Sequence, residues 1–149
     1  MTCLMPHQFS GLNSLTILKT TNCTKGKESV RLALATMRDA SANSDWNFTN
    51  KLLLLEAEQH TASQGDFFTY TPRHQILALY DASIAAAKKS GFIHEQGLAC
   101  EKAGFYCKET RDVHRALVYF KQARECYEEW GSSMKVDLIQ KELNGLNGH

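Results

Sequence analysis

A helical pattern that recurs after forty residues is the feature that most limits how this chain can fold. The stretch ALVYFKQARECYEEWG, residues 116–131, places small and aromatic side chains on one stripe of a helix and ends at a glycine. A shift of forty residues brings four positions onto earlier ones: Phe120 on Tyr80, Ala123 on Ser83, Tyr127 on Ala87 and Gly131 on Gly91. Such self-similarity predicts helical units that stack on one another.

Helical periodicity extends over most of the chain, and no strand-like alternation competes with it over a comparable length. Pro6 and Pro72 are the only two prolines, so most of the chain is free to be helical. Start and stop signals place helices at residues 28–40, 47–64, 73–90, 93–109, 111–130 and 132–143. SANSDWN breaks the first helix, Gly65 ends the second, and Thr110 or Asp112 caps the fifth. We therefore predict an all-α protein.

The predicted helices define three regions. Residues 1–27 are rich in Ser, Thr, Asn and Gly and form a poorly ordered N-terminal segment. Residues 28–143 form a helical-repeat domain, and residues 144–149 form a flexible tail. Within the domain, one helical hairpin occurs twice. The first copy has a turn that is six residues longer, at FFTYTP, which is tolerable because loop insertions cost little free energy.

The second hairpin has the spacing of a tetratricopeptide repeat, in which small residues let paired helices approach and an aromatic residue fills the groove. These repeat-packing positions are Ala103, Gly104, Ala116, Phe120 and Ala123. The chain departs from the pattern at Cys100 and Cys107, where Trp and Tyr are usual, and at Glu128, where a proline often ends the unit. We predict tetratricopeptide-like antiparallel hairpins stacked as a short right-handed solenoid. A plain small helical bundle is the alternative.

Charge and hydropathy exclude several classes of partner. Seventeen basic and sixteen acidic residues give a formal net charge of +1, so nothing favours a nucleic acid or an anionic membrane surface. Apolar runs such as Leu52–Leu55 are far too short to span a bilayer. We expect neither nucleic-acid nor membrane binding.

The number and spacing of the cysteines indicate the cellular compartment. The five cysteines are an odd number without framework spacing, which favours reduced thiols inside a cell. Residues 1–27 lack the charged start and long apolar stretch of a secretory signal. They contain no acidic residue, which is typical of organelle transit peptides. They also contain no arginine, although transit peptides are usually rich in it. We expect a cytoplasmic protein, with an organelle transit segment as the alternative.

Three stretches carry a resemblance to a known kind of protein: NFTNKLLLLEAE, ALYDASIAAAKKSGFIHEQGLACEKAGFYC and ALVYFKQARECYEEWGSSMKVDLI. Together they resemble the helical-repeat segment of very large signalling proteins. In those proteins a Ser/Thr kinase domain and an AAA-type ATPase come before the helical segment, and sensor and histidine-kinase or cyclase domains follow it. The likeness covers residues 45–140. It implies a helical solenoid in a signalling context, without catalytic residues of its own, either free-standing or as a fragment of a larger protein.

Residues capable of chemistry are present but do not form a catalytic pattern. His94 and Glu95 could act as acid and base, yet no nucleophile or phosphate-binding loop accompanies them. Cys100 and Cys107 lie seven residues apart, which is wider than known zinc spacings, and a core role suits them better. We therefore expect no catalytic, metal-binding or cofactor-binding residues and no enzyme activity. A small metal-dependent enzyme using Cys100, His94 and Glu101 is the weaker alternative.

Other residues suggest packing or partner binding. Three basic residues of the fifth helix could bind a partner: Arg115, Lys121 and Arg124. Glu101 is expected at the surface, paired with neighbours of Lys102 or with Arg115 and Arg124 across the hairpin. Trp46 is expected to cover the start of the second helix, and Trp130 is expected to fold against Met134 and Val136.

The sequence as a whole predicts a non-catalytic protein–protein interaction or scaffold module connected with signal transduction. Its partner is expected to be a protein, a peptide or the neighbouring domains of a larger signalling chain.

Overall fold

The computed structural model describes residues 24–43, 45–64 and 70–148. All regular secondary structure in these ranges is α-helical, which confirms the predicted all-α class. The helices are α1 (Thr24–Asn43), α2 (Asp45–Ala62), α3 (Arg73–Lys89), α4 (Ile93–Glu109), α5 (Val113–Trp130) and α6 (Ser133–Asn147). The chain divides between Leu79 and Tyr80, inside α3, into two compact units. The domain predicted over residues 28–143 thus contains parts of both.

The first unit is built on the packing of α1 against α2. Its apolar core consists of Ala33, Leu34, Met37 and Leu55, with Phe48, Leu52 and Ala62 packed against it. At the rim, Arg38 Nη2 lies 2.9 Å from Glu56 Oε1. The break predicted at SANSDWN is shorter than expected, because α1 continues to Asn43 and α2 begins at Asp45.

The ends of the helical region also differ from the prediction. Helix α1 begins at Thr24 rather than at residue 28, and residues 1–23 lie outside the described residues, as do Gly65 and the side chain of Trp46. Helix α6 continues to Asn147, so most of the predicted flexible tail is helical. The physical reason is that Leu146 continues the apolar face of Ile139 and Leu143 and is itself partly buried.

Helices α3 to α6 begin twenty residues apart, at residues 73, 93, 113 and 133. The turns between them share one geometry, with a positive φ at Gly91 (73°), Arg111 (60°) and Gly131 (84°). In each turn the next backbone N–H donates to the carbonyl five residues back: Phe92 to Ala87 at 3.0 Å, Asp112 to Cys107 at 2.8 Å and Ser132 to Tyr127 at 3.0 Å. This is the Schellman arrangement, which ends a helix.

Equivalent turns therefore follow α3, α4 and α5 at intervals of twenty residues. The forty-residue shift seen in the sequence is also the spacing of equivalent turns in the structure. A tetratricopeptide hairpin has about thirty-four residues, so this unit is longer by about six. The tetratricopeptide-like assignment and the right-handed sense of the solenoid stay predictions.

The fourth, eighth, eleventh and fifteenth residues of α3, α4 and α5 lie on one side of each helix and face inward. In α5 these four positions are all buried: Ala116, Phe120, Ala123 and Tyr127. The same positions in α3 are also buried: Ile76, Tyr80, Ser83 and Ala87. In α4, Gln96 is partly buried, and three positions are fully buried: Cys100, Ala103 and Cys107. Small and aromatic residues therefore recur at the inward positions.

Helices α4 and α5 form an antiparallel pair with a glycine at each end of their contact. A Cβ added to Gly97 would lie 3.0 Å from Tyr127 Cε1, and one added to Gly104 would lie 2.7 Å from two carbons of the Phe120 ring. The later glycine contacts the earlier aromatic residue, so the helices run in opposite directions. Phe120 also packs edge-on against Phe105, with ring centroids 5.2 Å apart. Four alanines of this pair have no exposed surface: Ala99, Ala103, Ala116 and Ala123.

Helix α6 lies against this pair and runs parallel to α4. Two ion pairs join α4 to α6, Glu101 with Lys135 at 2.9 Å and Lys108 with Glu142 at 2.6 Å. The second pair lies seven residues after the first on both helices, which fixes their common direction. First helices of successive stacked hairpins have the same relationship.

Candidate functional site

Glu101 is the centre of a buried polar contact between α4, α5 and α6. Its side chain is 7% exposed, and the Tyr127 hydroxyl donates to Oε2 at 2.5 Å. Lys135 Nζ donates to Oε2 at 2.9 Å and to Oε1 at 3.1 Å, and lies 5.4 Å from the centre of the Tyr127 ring. The predicted surface pairing of Glu101 with Arg115 or Arg124 is therefore wrong. The face of α4 that carries Glu101 is covered by α6, which supplies a lysine instead.

Tyr127 is held as a hydrogen-bond donor in this contact. Burial raises the pKa of its hydroxyl, and the adjacent Glu101 carboxylate raises it further. The phenol therefore keeps its proton at neutral pH. Both carboxylate oxygens of Glu101 already accept hydrogen bonds from within the chain. The arrangement fixes α6 on the hairpin and leaves Glu101 poorly placed to act on a ligand.

A similar contact joins α5 to α3. The Tyr119 hydroxyl donates to Asp81 Oδ1 at 2.6 Å. Burial raises the pKa of Tyr119, and the hydrogen bond to Asp81 adds to that shift. Two tyrosines of α5, eight residues apart, thus donate to carboxylates on the two neighbouring helices.

Three buried cysteines lie in the hairpin: Cys100, Cys107 and Cys126. Burial, followed by the nearby Cys126, raises the pKa of the Cys100 thiol from 9.0 to about 12. Burial also raises the pKa of Cys126. A thiol with a raised pKa stays neutral at physiological pH and is a poor nucleophile or metal ligand. The described residues contain no group of three or more His, Cys, Asp or Glu side chains that could hold a metal ion.

A cavity of about 380 Å³ lies in the second unit at the end of α3, the start of α4 and the end of α5. Its wall is formed by Lys88, Ile93, Gln96, Glu125, Cys126 and Glu129. Cys126 is 5% exposed and forms part of the floor, whereas Glu125, Glu129 and Lys88 are exposed. We call this cavity the α3–α5 groove. Glu125 and Glu129 are one helical turn apart, so two carboxylates border the groove along α5.

An exposed aromatic pair stands next to this groove. The Trp130 ring lies 5.4 Å from the His94 ring and 6.3 Å from the Tyr127 ring, measured between centroids, yet Trp130 is 51% exposed. The packing of Trp130 against Met134 and Val136 stays a prediction, although Met134 is 76% exposed. Trp130 and His94 directly follow the wall residues Glu129 and Ile93 in the chain, so the pair is next to the groove.

The three predicted partner-binding residues do not form one surface. Arg115 lies 3.8 Å from Asp112, whose side chain also accepts the Arg115 backbone N–H and caps α5. Arg124 donates to Gln140 of α6 at 2.9 Å. Nine residues separate these arginines, which places them on opposite sides of α5. Lys121 is exposed.

A second cavity, of about 340 Å³, lies in the first unit where α2 ends. It is lined by Gln59, His60, Ser63, Tyr70 and Thr71. His60 Nδ1 and Thr71 Oγ1 are hydrogen-bonded at 2.8 Å, and Gln64 Nε2 donates to the Thr71 carbonyl at 2.8 Å. These hydrogen bonds join Thr71 to the end of α2 and the turn that follows it.

Sequence reasoning missed the Glu101 contact, the Gly97–Tyr127 contact and the groove. The glycine contact had a detectable signal, since Gly97 and Gly104 are seven residues apart and so are Phe120 and Tyr127. The groove had none, because its wall is drawn from three helices.

None of the described helices has the length and apolar character needed to cross a bilayer. Comparisons of the chain with protein-family models, curated proteins and solved structures give no match.

Proposed function

We propose that this chain is a non-catalytic helical-repeat module that binds a protein or peptide partner in the α3–α5 groove. The observation that carries the proposal is the exposed Trp130 ring beside that groove, whose centre lies 5.4 Å from that of the His94 ring. Tryptophan is among the residues that contribute most to binding energy at protein interfaces. A partner that covers Trp130 would remove a large apolar surface from water.

The charges around the groove favour a partner segment that carries a basic residue. Glu125 and Glu129 are exposed, and their side chains form no hydrogen bond or ion pair with any described residue. Lys88 is the one cationic side chain in the wall. Two carboxylates against one ammonium leave the groove with a formal charge of −1. A lysine or arginine of the partner could reach these carboxylates and also approach the Trp130 ring.

The wider context of the module follows from the resemblance of residues 45–140 to the helical segment of large signalling proteins. We infer a role in signal transduction, in the cytoplasm, with neighbouring domains of a larger chain as a second kind of partner. The forty-residue hairpin and the parallel course of α4 and α6 support a stacked helical repeat, because both are features of such arrays.

A phage-displayed dodecapeptide library provides the test. Selection on the wild-type chain should enrich peptides with a basic residue and an apolar neighbour. The affinity of a selected peptide should fall about tenfold or more in Trp130→Ala, as expected for a binding hot spot. Glu129→Lys should weaken binding as well.

Val113→Ala is the matched control, because Val113 is a 45% exposed apolar residue at the other end of the same helix. Its affinity should stay within about twofold of wild type, as for a residue outside the interface. If no peptide is enriched, or if Trp130→Ala and Val113→Ala bind the selected peptide equally well, the proposal fails.

A further inference from the structure

The outer face of α6 carries an exposed stripe without partners. Met134 is 76% exposed and Leu138 is 40% exposed, and Asp137, Lys141 and Gly145 are exposed on the same side of the helix. The side chains of Asp137 and Lys141 form no ion pair or hydrogen bond with any described residue. We call these five residues the α6 outer face.

The repeat register identifies what this face corresponds to in α4. Helices α4 and α6 begin forty residues apart, so Asp137 occupies the position of Gly97 and Lys141 that of Glu101. Gly97 contacts Tyr127 of α5 closely, and Glu101 accepts a hydrogen bond from the same tyrosine. The α6 outer face therefore corresponds to the face through which α4 receives its antiparallel partner helix.

The charges on this face are self-complementary, so that the same face on two copies of the chain can pair. Asp137 and Lys141 are one helical turn apart. If two α6 helices lie antiparallel about a two-fold axis midway between these residues, each Asp137 lies opposite Lys141 of the second copy. Met134 then lies opposite Asn144 and next to Gly145 of the second copy, where a Cβ would meet no atom of the described residues within 4 Å. Opposite charges and an apolar side chain next to an open glycine both favour this pairing.

We propose that two copies of this chain associate through the α6 outer face, in an antiparallel two-fold pairing of Asp137 with Lys141. The face is small, so the dimer forms at micromolar concentrations or above. Higher ionic strength weakens it, because the paired charges are at the surface.

Sedimentation equilibrium over a concentration series tests the proposal. The wild-type chain should dimerise reversibly, and Asp137→Lys should shift the dissociation constant upward about tenfold or more, because it faces lysine against lysine. Combining Asp137→Lys with Lys141→Asp should restore dimerisation, because the pairs are then reversed.

Glu109→Lys is the control, since it changes the net charge equally at an exposed position on α4. It should dimerise as wild type does. A wild-type chain that stays monomeric throughout overturns the proposal. So does an Asp137→Lys variant that dimerises as wild type does, or a charge-reversed variant that stays monomeric. All the changed side chains are exposed, and unchanged circular dichroism melts show that each variant is folded.

Discussion

Gly104 lies so close to the ring of Phe120 that a Cβ at this position would be 2.7 Å from two ring carbons. Phe120 has no exposed surface and is also packed against Phe105, so its ring has little freedom to move away. The close approach of α4 and α5 therefore depends on the absence of a side chain at Gly104.

Gly104→Ala should lower the free energy of unfolding by about 1–3 kcal/mol through overpacking. Phe120→Leu should also be destabilising, because it leaves a cavity. In the double variant, the loss of unfolding free energy should be smaller than the sum of the two single losses, because leucine removes the ring that the new methyl group meets. Urea denaturation of the four chains measures the coupling. Strict additivity would show that Gly104 and Phe120 are not in contact.

The buried Glu101 carboxylate should make Lys135 important for stability. Lys135→Met leaves Glu101 without its cationic partner and should cost about 1–3 kcal/mol, less than for a fully buried pair because Lys135 is partly exposed. Lys108→Met is the matched control, since it breaks the more exposed ion pair with Glu142 between the same two helices. It should cost less than about 1 kcal/mol. Equal losses in chemical denaturation would contradict the special role of Glu101.

The three equivalent turns predict opposite effects of exchanging glycine and arginine. Arg111 has a φ of 60°, a conformation that costs free energy for a residue with a side chain. Arg111→Gly should therefore stabilise the chain by a few tenths to about 1 kcal/mol. Gly131→Arg places a side chain at a φ of 84° and should destabilise it by about 1 kcal/mol. Thermal melts of both variants at one low protein concentration give the comparison. If Arg111→Gly melts well below wild type, the turns are not equivalent.

Stability should decline in alkaline solution. The pKa of Cys100 rises from 9.0 to about 12, and the pKa values of Tyr119 and Tyr127 rise above their usual 10.0. Between the unfolded and folded pKa values, the unfolded chain releases protons that the native chain keeps. The free energy of unfolding should thus be independent of these groups below about pH 9 and fall as the pH rises further.

Urea denaturation at about pH 8 and about pH 10.5 measures this dependence. Tyr127→Phe should reduce the loss of stability between the two pH values. Tyr70→Phe should not, because Tyr70 is 68% exposed and serves as the control. An identical alkaline loss in wild type and Tyr127→Phe would show that Tyr127 titrates normally in the native chain.

The sequence was sufficient to predict most of the helices and some of the residues at the contact between α4 and α5. Periodicity and glycine placement predicted the starts of α3 and α4 at residues 73 and 93, since these are local signals. The equivalence of Arg111 with two glycines was missed, because arginine is not a turn signal although its backbone adopts the same conformation.

The candidate sites were less predictable, because they depend on which helix covers which face. Glu101 resembles an ordinary surface residue in the sequence, and its burial follows only from the position of α6. Trp130 resembles a packing residue at a helix end, yet half of its surface is exposed beside the groove. Tertiary contacts of this kind leave no local pattern in the chain.

Amide chemical-shift mapping with a peptide selected on the wild-type chain tests the proposed function most directly. The account predicts shifts confined to the walls of the α3–α5 groove, at residues 88–97 and 122–131, together with a change at the Trp130 indole N–H. Shifts that instead map to α6, or to α1 and α2, with the Trp130 indole signal unchanged, would contradict it.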